Sequence, residues 1–300
     1  MKIGLIGLGR MGGAIAQRLT DQGFEIVAWD HAKKATQLAA GRGVRIAANP
    51  KAIAAEAEMV ISIITEDHGV WKVFTGPYGL LEADIEGKLF IEMSTLQPTT
   101  GRELAPLVEA KGARLIESPV LGTIPSVHEG KLFSLAGGRV EDIDRARVVL
   151  DRLTRRVAHM GPHGSGYAMK LAVNLGLGAY IQALSESLAL GTKQGLALDQ
   201  MLDVLKEAPT ATGWLHSKIP VLLGAQADVT LDIRTMRKDI MSAVATGARS
   251  GVPMPLSAGT LASFSAAVAG GAGDGDLADL AKFVREKMVQ NFEKSRRIEE

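Results

Sequence analysis

The sequence predicts an α/β first half built on a mostly parallel sheet, followed by an all-helical second half. Three observations carry this. Short apolar runs alternate with helical segments as far as Met160. A glycine-rich turn, Gly7-Leu8-Gly9-Arg10-Met11-Gly12, stands directly behind the first apolar run. An uncharged stretch from Leu171 to Ser185, weakened only by Gly176 and Gly178, opens a second half that reads as helix alone. Strands separated by helices imply parallel crossovers, whereas a long uncharged helical run implies a buried helix.

Lys2 to Ile6 reads as a strand, Ala14 to Gln22 as a helix that stops at Gly23, and Ile26 to Trp29 as a second buried strand ending in Asp30. A G-x-G-x-x-G run between strand and helix, with an acidic residue about 20 positions on, is the dinucleotide-binding fingerprint of a Rossmann domain. Gly7 allows the tight turn, Gly9 lets a pyrophosphate approach the backbone, and Gly12 lets helix pack on strand. Leu8, Arg10 and Met11 complete that cofactor-binding turn. Asp30 is placed to hydrogen-bond a ribose 2′-OH and to repel a 2′-phosphate, so NAD is expected over NADP, with His31, Lys33 and Lys34 softening the preference. The plainer alternative is a generic turn with Asp30 as a helix cap.

Further strands are expected at Met59 to Ile64, Leu89 to Met93, Arg114 to Ile116, Phe133 to Ala136 and Val157 to Met160. Helices are expected at Pro50 to Ala57, Gly101 to Lys111 and Glu141 to Leu153. In such a sheet the ligand lies across the carboxyl ends of the strands. That rule brings in three exit loops, at 64–67, 94–95 and 118–123, and makes Ile64, Thr65 and Thr95 cofactor-binding candidates. For Ser94 and Thr95, capping the next helix is the alternative. The expected domains are 1–163, binding NAD(P), and 164–300, helical, for substrate and dimerisation. A long inter-domain helix joins them. Gly164 and Gly166 release the backbone before it, and on it Lys170 and Asn174, four residues apart, share a face at the seam between the two architectures. The Gly270 to Gly275 stretch reads as a loop before a last helix from Leu277, capped by Asp276.

Three hundred residues suit two domains, and 46% hydrophobic with 22% charged residues is an ordinary globular composition. Lys and Arg (34) nearly balance Asp and Glu (33), and the basic residues are scattered, so no nucleic-acid partner is expected. The absence of cysteine excludes disulfides and thiolate metal sites and fits a cytoplasmic location. The apolar opening is broken by Gly4 and Gly7, and the run from Ser250 to Gly273 by Pro253 and Pro255, so neither a secretory signal nor a membrane span is expected. His159 and His163 flank Gly161-Pro162 without a carboxylate at ligand spacing. They read as loop residues, and no metal is expected.

Taken together, the glycine turn, Ser94-Thr95 with Pro98, Ser118-Pro119-Val120 with Gly122, Gly164-x-Gly166 with Lys170 and Asn174, and Lys238-Asp239 resemble the β-hydroxyacid dehydrogenases. This is the group of 3-hydroxyisobutyrate dehydrogenase and the glyoxylate and succinic semialdehyde reductases. The resemblance implies that Lys170 is the catalytic acid/base, that Asn174 positions substrate, and that Leu121, Gly122 and Thr123 hold the substrate carboxylate. It implies further that Lys238 comes from the helical domain to close over cofactor and substrate, and that subunits pack through these helices as a homodimer or homotetramer. A Lys-Asp pair amid Arg234 and Arg237 is otherwise often surface charge. One position departs from the pattern: the family loop carries a serine where this chain has Leu121, which points to a bulkier or less polar substrate. An imine reductase has a similar architecture but usually carries Asp or Tyr in place of Lys170. A non-catalytic dinucleotide-binding scaffold would most readily have lost the lysine or the asparagine.

The chemistry expected of such a chain needs a proton donor, because hydride transfer to a carbonyl leaves negative charge on oxygen. A lysine ammonium supplies the proton and stabilises that charge together.

Overall fold

A computed structural model describes residues 1–288, so the last twelve positions of the expected helical domain, 289–300, lie outside the described residues. The chain divides into two compact units, Met1–Ala172 and the remainder from Val173 onward.

The first unit contains β1 (Lys2–Ile6), α1 (Arg10–Asp21), β2 (Glu25–Trp29), α2 (Lys33–Ala40), β3 (Arg45–Ile46), α3 (Pro50–Glu56), β4 (Met59–Ser62), α4 (Asp67–Thr75), β5 (Leu89–Glu92), α5 (Pro98–Glu109), β6 (Arg114–Glu117), β7 (Val120–Leu121), α6 (Ile124–His128), β8 (Leu132–Gly137), α7 (Val140–Leu153) and β9 (Thr154–Gly161). They form one sheet in the order β3-β2-β1-β4-β5-β6-β8-β7, with β9 on β8. It is parallel from β3 through β6; β8 runs antiparallel to β6 and β7, and β9 parallel to β8.

The central strands are apolar almost throughout because both faces are covered. Ile3 and Leu5, Met59 and Ile61, and Leu89 and Ile91 pack with Ile15 and Leu19 of α1 and Val149 and Leu150 of α7. Their neighbours Val60 and Phe90 turn to the other face, against Ile53 of α3, Phe74 of α4 and Leu104 of α5. A period of two is thus present in runs that read as uniformly hydrophobic.

Helix α8 (Ser165–Lys193) crosses the division between the units, and α9 (Leu198–Leu205), α10 (Gly213–Leu222), α11 (Ile233–Arg249), α12 (Pro255–Ala269), α13 (Asp279–Phe283) and a π-helical turn at Val284–Met288 follow it. Ile181 of α8, Met236 and Ile240 of α11, Phe264 of α12 and Leu280 of α13 share one core of the second unit. Among the described residues no helix is long and apolar enough to cross a membrane.

Several elements differ from the sequence expectation. Helix α1 begins at Arg10 rather than Ala14, and α5 at Pro98, where proline occupies the first helical turn without loss. The long helix extends well beyond the uncharged run. Half-buried Lys170 is tolerated near its start, and exposed Glu186, which accepts the Gln182 amide (2.6 Å), near its end. His159 lies on β9, not in a loop, with its Nε2 against the carbonyls of Gly138 (2.9 Å) and Gly161 (3.0 Å). The last helix begins at Asp279, not Leu277. Asp276 instead accepts the Lys218 ammonium (2.7 Å) and the Ala278 N–H (3.1 Å), which holds the preceding residues in turns.

Candidate active site

Gly7 has φ +94°, and a β-carbon there would collide with the Ile63 carbonyl; one on Gly12 would collide with the Gly7 carbonyl. A β-carbon on Gly9, by contrast, meets nothing within 4 Å. The protein itself demands two of the glycines, and the third borders open space of the kind a phosphate approaching the backbone requires. Helix α1 carries no acidic residue in its first turn, which suits an anion at its N-terminus. The Gly7 N–H donates to Trp29 O (3.0 Å). Asp30 accepts the N–H of Leu8 (2.7 Å, Oδ2) and of Ala32 (2.7 Å, Oδ1), so its carboxylate ties the glycine turn to the end of β2. Each carboxylate oxygen has a second lone pair, so the group can still accept a ribose hydroxyl. Arg10 is exposed, whereas Met11 packs on the sheet core. These residues fit a dinucleotide.

At the exits of β4 and β5 the loops are laced together. The Ile64 N–H donates to Ser94 Oγ (2.7 Å), and the Ser94 N–H to Glu92 Oε1 (2.7 Å), while the Ser62 hydroxyl donates to Glu92 Oε2. This places half-buried Ile64, exposed Thr65 and half-buried Thr95 along one edge of the sheet. Ser94 and Thr95 do not cap α5. Its N-cap position is Gln97, and the start of the helix is held by Asp67, which accepts the Gln97 N–H (3.0 Å) and the Thr100 hydroxyl. Glu92 is fully buried. Burial pushes its carboxyl up to about 7 against the opposing hydrogen bonds from Ser62 and Ser94.

The exit of β6 supports the lysine. The Lys170 ammonium donates to the Val120 carbonyl (2.9 Å), one residue before the loop of Leu121, Gly122 and Thr123. Leu121 is half-buried on β7, and Gly122 sits at φ +133°. Thr123 is the N-cap of α6, in a capping box with Ser126, whose Oγ accepts the Thr123 N–H (3.4 Å). The hydroxyl that could replace the missing serine therefore already serves a helix end. Next to this loop, Glu117 is buried and accepts the backbone N–H groups of Gly164 and Tyr167.

In the second unit the Asn174 amide donates to Asp239 Oδ2 (2.6 Å), and Lys238 lies 2.6 Å from Asp239 Oδ1. With the Lys238 and Asp239 side chains only 12% and 2% exposed, the pair is not surface charge. The structure thus joins Asn174 to Lys238 through Asp239. In the first unit it joins Lys170 to the 121–123 loop, and Asp30 to the glycine turn. Glu92, Glu117 and the part played by Asp239 are not among the residues the sequence points to. The first two had a signal: like Asp30, each ends an apolar strand immediately before a loop.

A doubly wound sheet with this glycine turn at its first crossover is the architecture of a dinucleotide-binding protein. A family profile described as the NAD binding domain of 6-phosphogluconate dehydrogenase matches residues 2–161, and one described as NAD-binding of NADP-dependent 3-hydroxyisobutyrate dehydrogenase matches 164–284. The chain is 33% identical to 3-hydroxyisobutyrate dehydrogenase of Pseudomonas aeruginosa, over 85% of this chain and 88% of that one. It is 29% identical to glyoxylate/succinic semialdehyde reductase 1 of Arabidopsis thaliana, over 95% and 100%. A structure of Mycobacterium tuberculosis 3-hydroxyisobutyrate dehydrogenase with L-serine superposes with a TM-score of 0.84 at 26% identity, covering 95% of this chain and 99% of that one. The chain belongs to the β-hydroxyacid dehydrogenase family and is an NAD(P)-dependent enzyme.

Proposed function

We propose that the enzyme transfers a hydride between nicotinamide and a small β-hydroxy acid or its aldehyde or keto counterpart, with Lys170 as general acid/base. The observation that carries this reading is the Lys170 ammonium on the Val120 carbonyl, at the mouth of the loop proposed to hold the substrate carboxylate. The bound nicotinamide supplies or accepts the hydride. In reduction, Lys170 gives a proton from Nζ to the substrate oxygen as charge develops there; in oxidation, its neutral amine removes the hydroxyl proton. Leu121, Gly122, Thr123, Asn174 and Lys238 are the proposed substrate-binding residues. Gly7 to Gly12, Asp30, Ile64, Thr65, Thr95 and Lys238 are the proposed cofactor-binding residues. The substrate class is supported by the named activities of the relatives and by L-serine, itself a β-hydroxy acid, in the mycobacterial structure. Asp30 supports NAD over NADP.

The reading includes a cytoplasmic location, with which a chain free of cysteine is compatible. It also includes a homodimer or homotetramer, supported by exposed Leu190, Leu196, Val204 and Leu256 in the helical unit; light scattering at micromolar concentration reads the assembly, and a strict monomer refutes it.

The test is single-turnover hydride transfer in wild type, Lys170→Ala and Lys170→Arg, with dinucleotide affinity titrated separately by fluorescence. Lys170→Ala should slow the chemical step by at least about 10²-fold while cofactor affinity stays unchanged. Lys170→Arg should fail too, because a guanidinium holds its proton at working pH. Near wild-type chemistry in Lys170→Ala, or a loss explained by lost dinucleotide, would show that the lysine has no part in proton transfer.

A further inference from the structure

The segment Glu117-Ser118-Pro119-Val120 touches α8 at two points. At one end, the Glu117 carboxylate accepts the N–H of Gly164, of Gly166 and of Tyr167 (3.4 Å), the groups left without helical partners where α8 begins. At the other end, the Val120 carbonyl accepts the Lys170 ammonium (2.9 Å). The spacings match, three residues from Glu117 to Val120 on the strand side and three from Tyr167 to Lys170 on the helix side.

Three glycines from three different elements enclose the carboxylate. A β-carbon on Gly101 of α5 would collide with Glu117 Oε1. One on Gly137 of β8 would lie 2.6 Å from Oε2 and 3.0 Å from the Gly166 nitrogen. One on Gly166 of α8 would lie 2.5 Å from the Leu135 carbonyl and 3.2 Å from Oε2. The backbone of α8 comes this close to the acid where these three positions lack side chains, and the buried Tyr167 ring lies beside Gly101, 3.0 Å from where a β-carbon would stand. Such crowding fixes the carboxylate far more tightly than an ordinary helix cap, which stands in solvent.

We propose that Glu117 is the positioning residue for Lys170: its carboxylate fixes the first turn of α8 and, together with the Val120 carbonyl, sets where the ammonium stands. The inference rests on the reading of Lys170 as acid/base and adds how that acid/base is held. An ionised carboxylate accepts three N–H groups, whereas a protonated one must point a hydrogen towards them, so positioning is strongest when Glu117 is charged. Burial pushes this carboxyl up to about 7. The groups facing it are Arg102 of α5, His163 (Nδ1 3.9 Å from Oε1), Tyr167 and, in register on the adjacent strand, Glu92. Glu109 of α5 lies 4.0 Å from the other ring nitrogen, His163 Nε2.

The experiment uses the full-length enzyme and reads single-turnover reduction, dinucleotide Kd and the pH profile in wild type, Glu117→Gln, Glu117→Asp and Glu92→Gln. Glu117→Gln keeps the volume but turns an N–H₂ towards N–H donors. It should slow hydride transfer on the order of 10²-fold, the scale for displacing a reacting group by about 1 Å, with dinucleotide Kd unchanged. In wild type the rate should fall on the acid side of about pH 7 as Glu117 protonates, a limb distinct from any due to Lys170, whose ammonium is the active form in this direction. That limb should be absent from Glu117→Gln, present in Glu92→Gln, and partly restored with the rate in Glu117→Asp.

Wild-type hydride transfer in folded Glu117→Gln, or a loss matched by lost dinucleotide binding, overturns the proposal. If Glu117→Gln does not fold, the wild-type profile decides, and a flat acid side overturns it equally. Lys170→Ala is run beside these variants: if it retains the chemistry, the acid/base reading itself has failed. If only the Glu117 variants behave as wild type, the positioning alone has failed.

Discussion

Replacing Glu92 by Gln should make the protein more stable at pH 8 and no more stable at pH 5. The carboxyl is raised from an ordinary 4.5 to about 7, chiefly by burial, with the charge of Asp67 adding to the effect. A group whose folded value lies above its unfolded value favours folding most when protonated in both states. Its contribution is fully present below about pH 4.5 and is lost as pH rises through about 7. Each tenfold change in a protonation equilibrium is worth about 1.4 kcal/mol, so the ionised carboxylate costs the native state about 3 kcal/mol at pH 8. Glutamine removes that cost and keeps the contacts, since Oε1 can accept the Ser94 N–H as now and the amide N–H₂ can donate to the Ser62 hydroxyl, which is also an acceptor. The assay is thermal unfolding of cofactor-free enzyme from pH 5 to pH 8, followed by a probe of the sheet-bearing unit because two units need not melt together. A gain of about 3 kcal/mol predicts a rise in Tm of roughly 5 to 10 °C at pH 8, closing towards zero at pH 5. The variant should keep a residual slope, because Glu117 is raised to the same range. Parallel curves for the two proteins, or a variant that melts lower at pH 8, would refute the idea that Glu92 is held against its own charge.

Two further outcomes follow from the site. Leu121→Ser, which restores a hydroxyl beside Gly122, should raise kcat/KM for small polar hydroxy acids and lower it for larger apolar ones; an unchanged substrate panel would mean that the side chain does not meet substrate. NADH should outperform NADPH in kcat/KM. Asp30→Ala should narrow that gap while weakening both cofactors, because the Leu8 and Ala32 N–H groups lose their acceptor; equal or better efficiency with NADPH in wild type would sink the Asp30 assignment.

The first unit was legible because its strands are nearly all apolar and its punctuation is glycine, so the positions of β1, β2, β4, β5 and the turn between β1 and α1 follow from composition and period alone. Several of the elements that escaped are short or polar; α4 is neither, since it buries Val70, Val73 and Phe74. Helix α2 is built from Lys33 to Ala40 with only Ala39 buried, so it shows no apolar stripe. Strand β7 has two residues and α6 five, too few for any periodicity to register. Lys170 could be singled out, but not what holds it, because a backbone carbonyl leaves no mark in a sequence. Glu117 and Glu92 looked like ordinary strand ends until neighbouring strands showed them in register and buried. Likewise, Asp239 could not be separated from exposed helix charge until Asn174, 65 positions away, was seen to bond to it.

The pairing of β7 with β8 keeps the carbonyl that receives Lys170 apart from the neighbouring side chain. Val120 lies opposite Ser134 with its side chain buried, and it is its main-chain oxygen, common to every amino acid, that receives the lysine. Leu121, opposite Phe133, is the next residue on the strand, and its side chain points away to the other face. A change of side chain from leucine to serine at position 121 therefore leaves the atom that anchors Lys170 the same. Under the function proposed above, substrate preference can be altered at this one residue without moving the main-chain oxygen that holds the proposed acid/base.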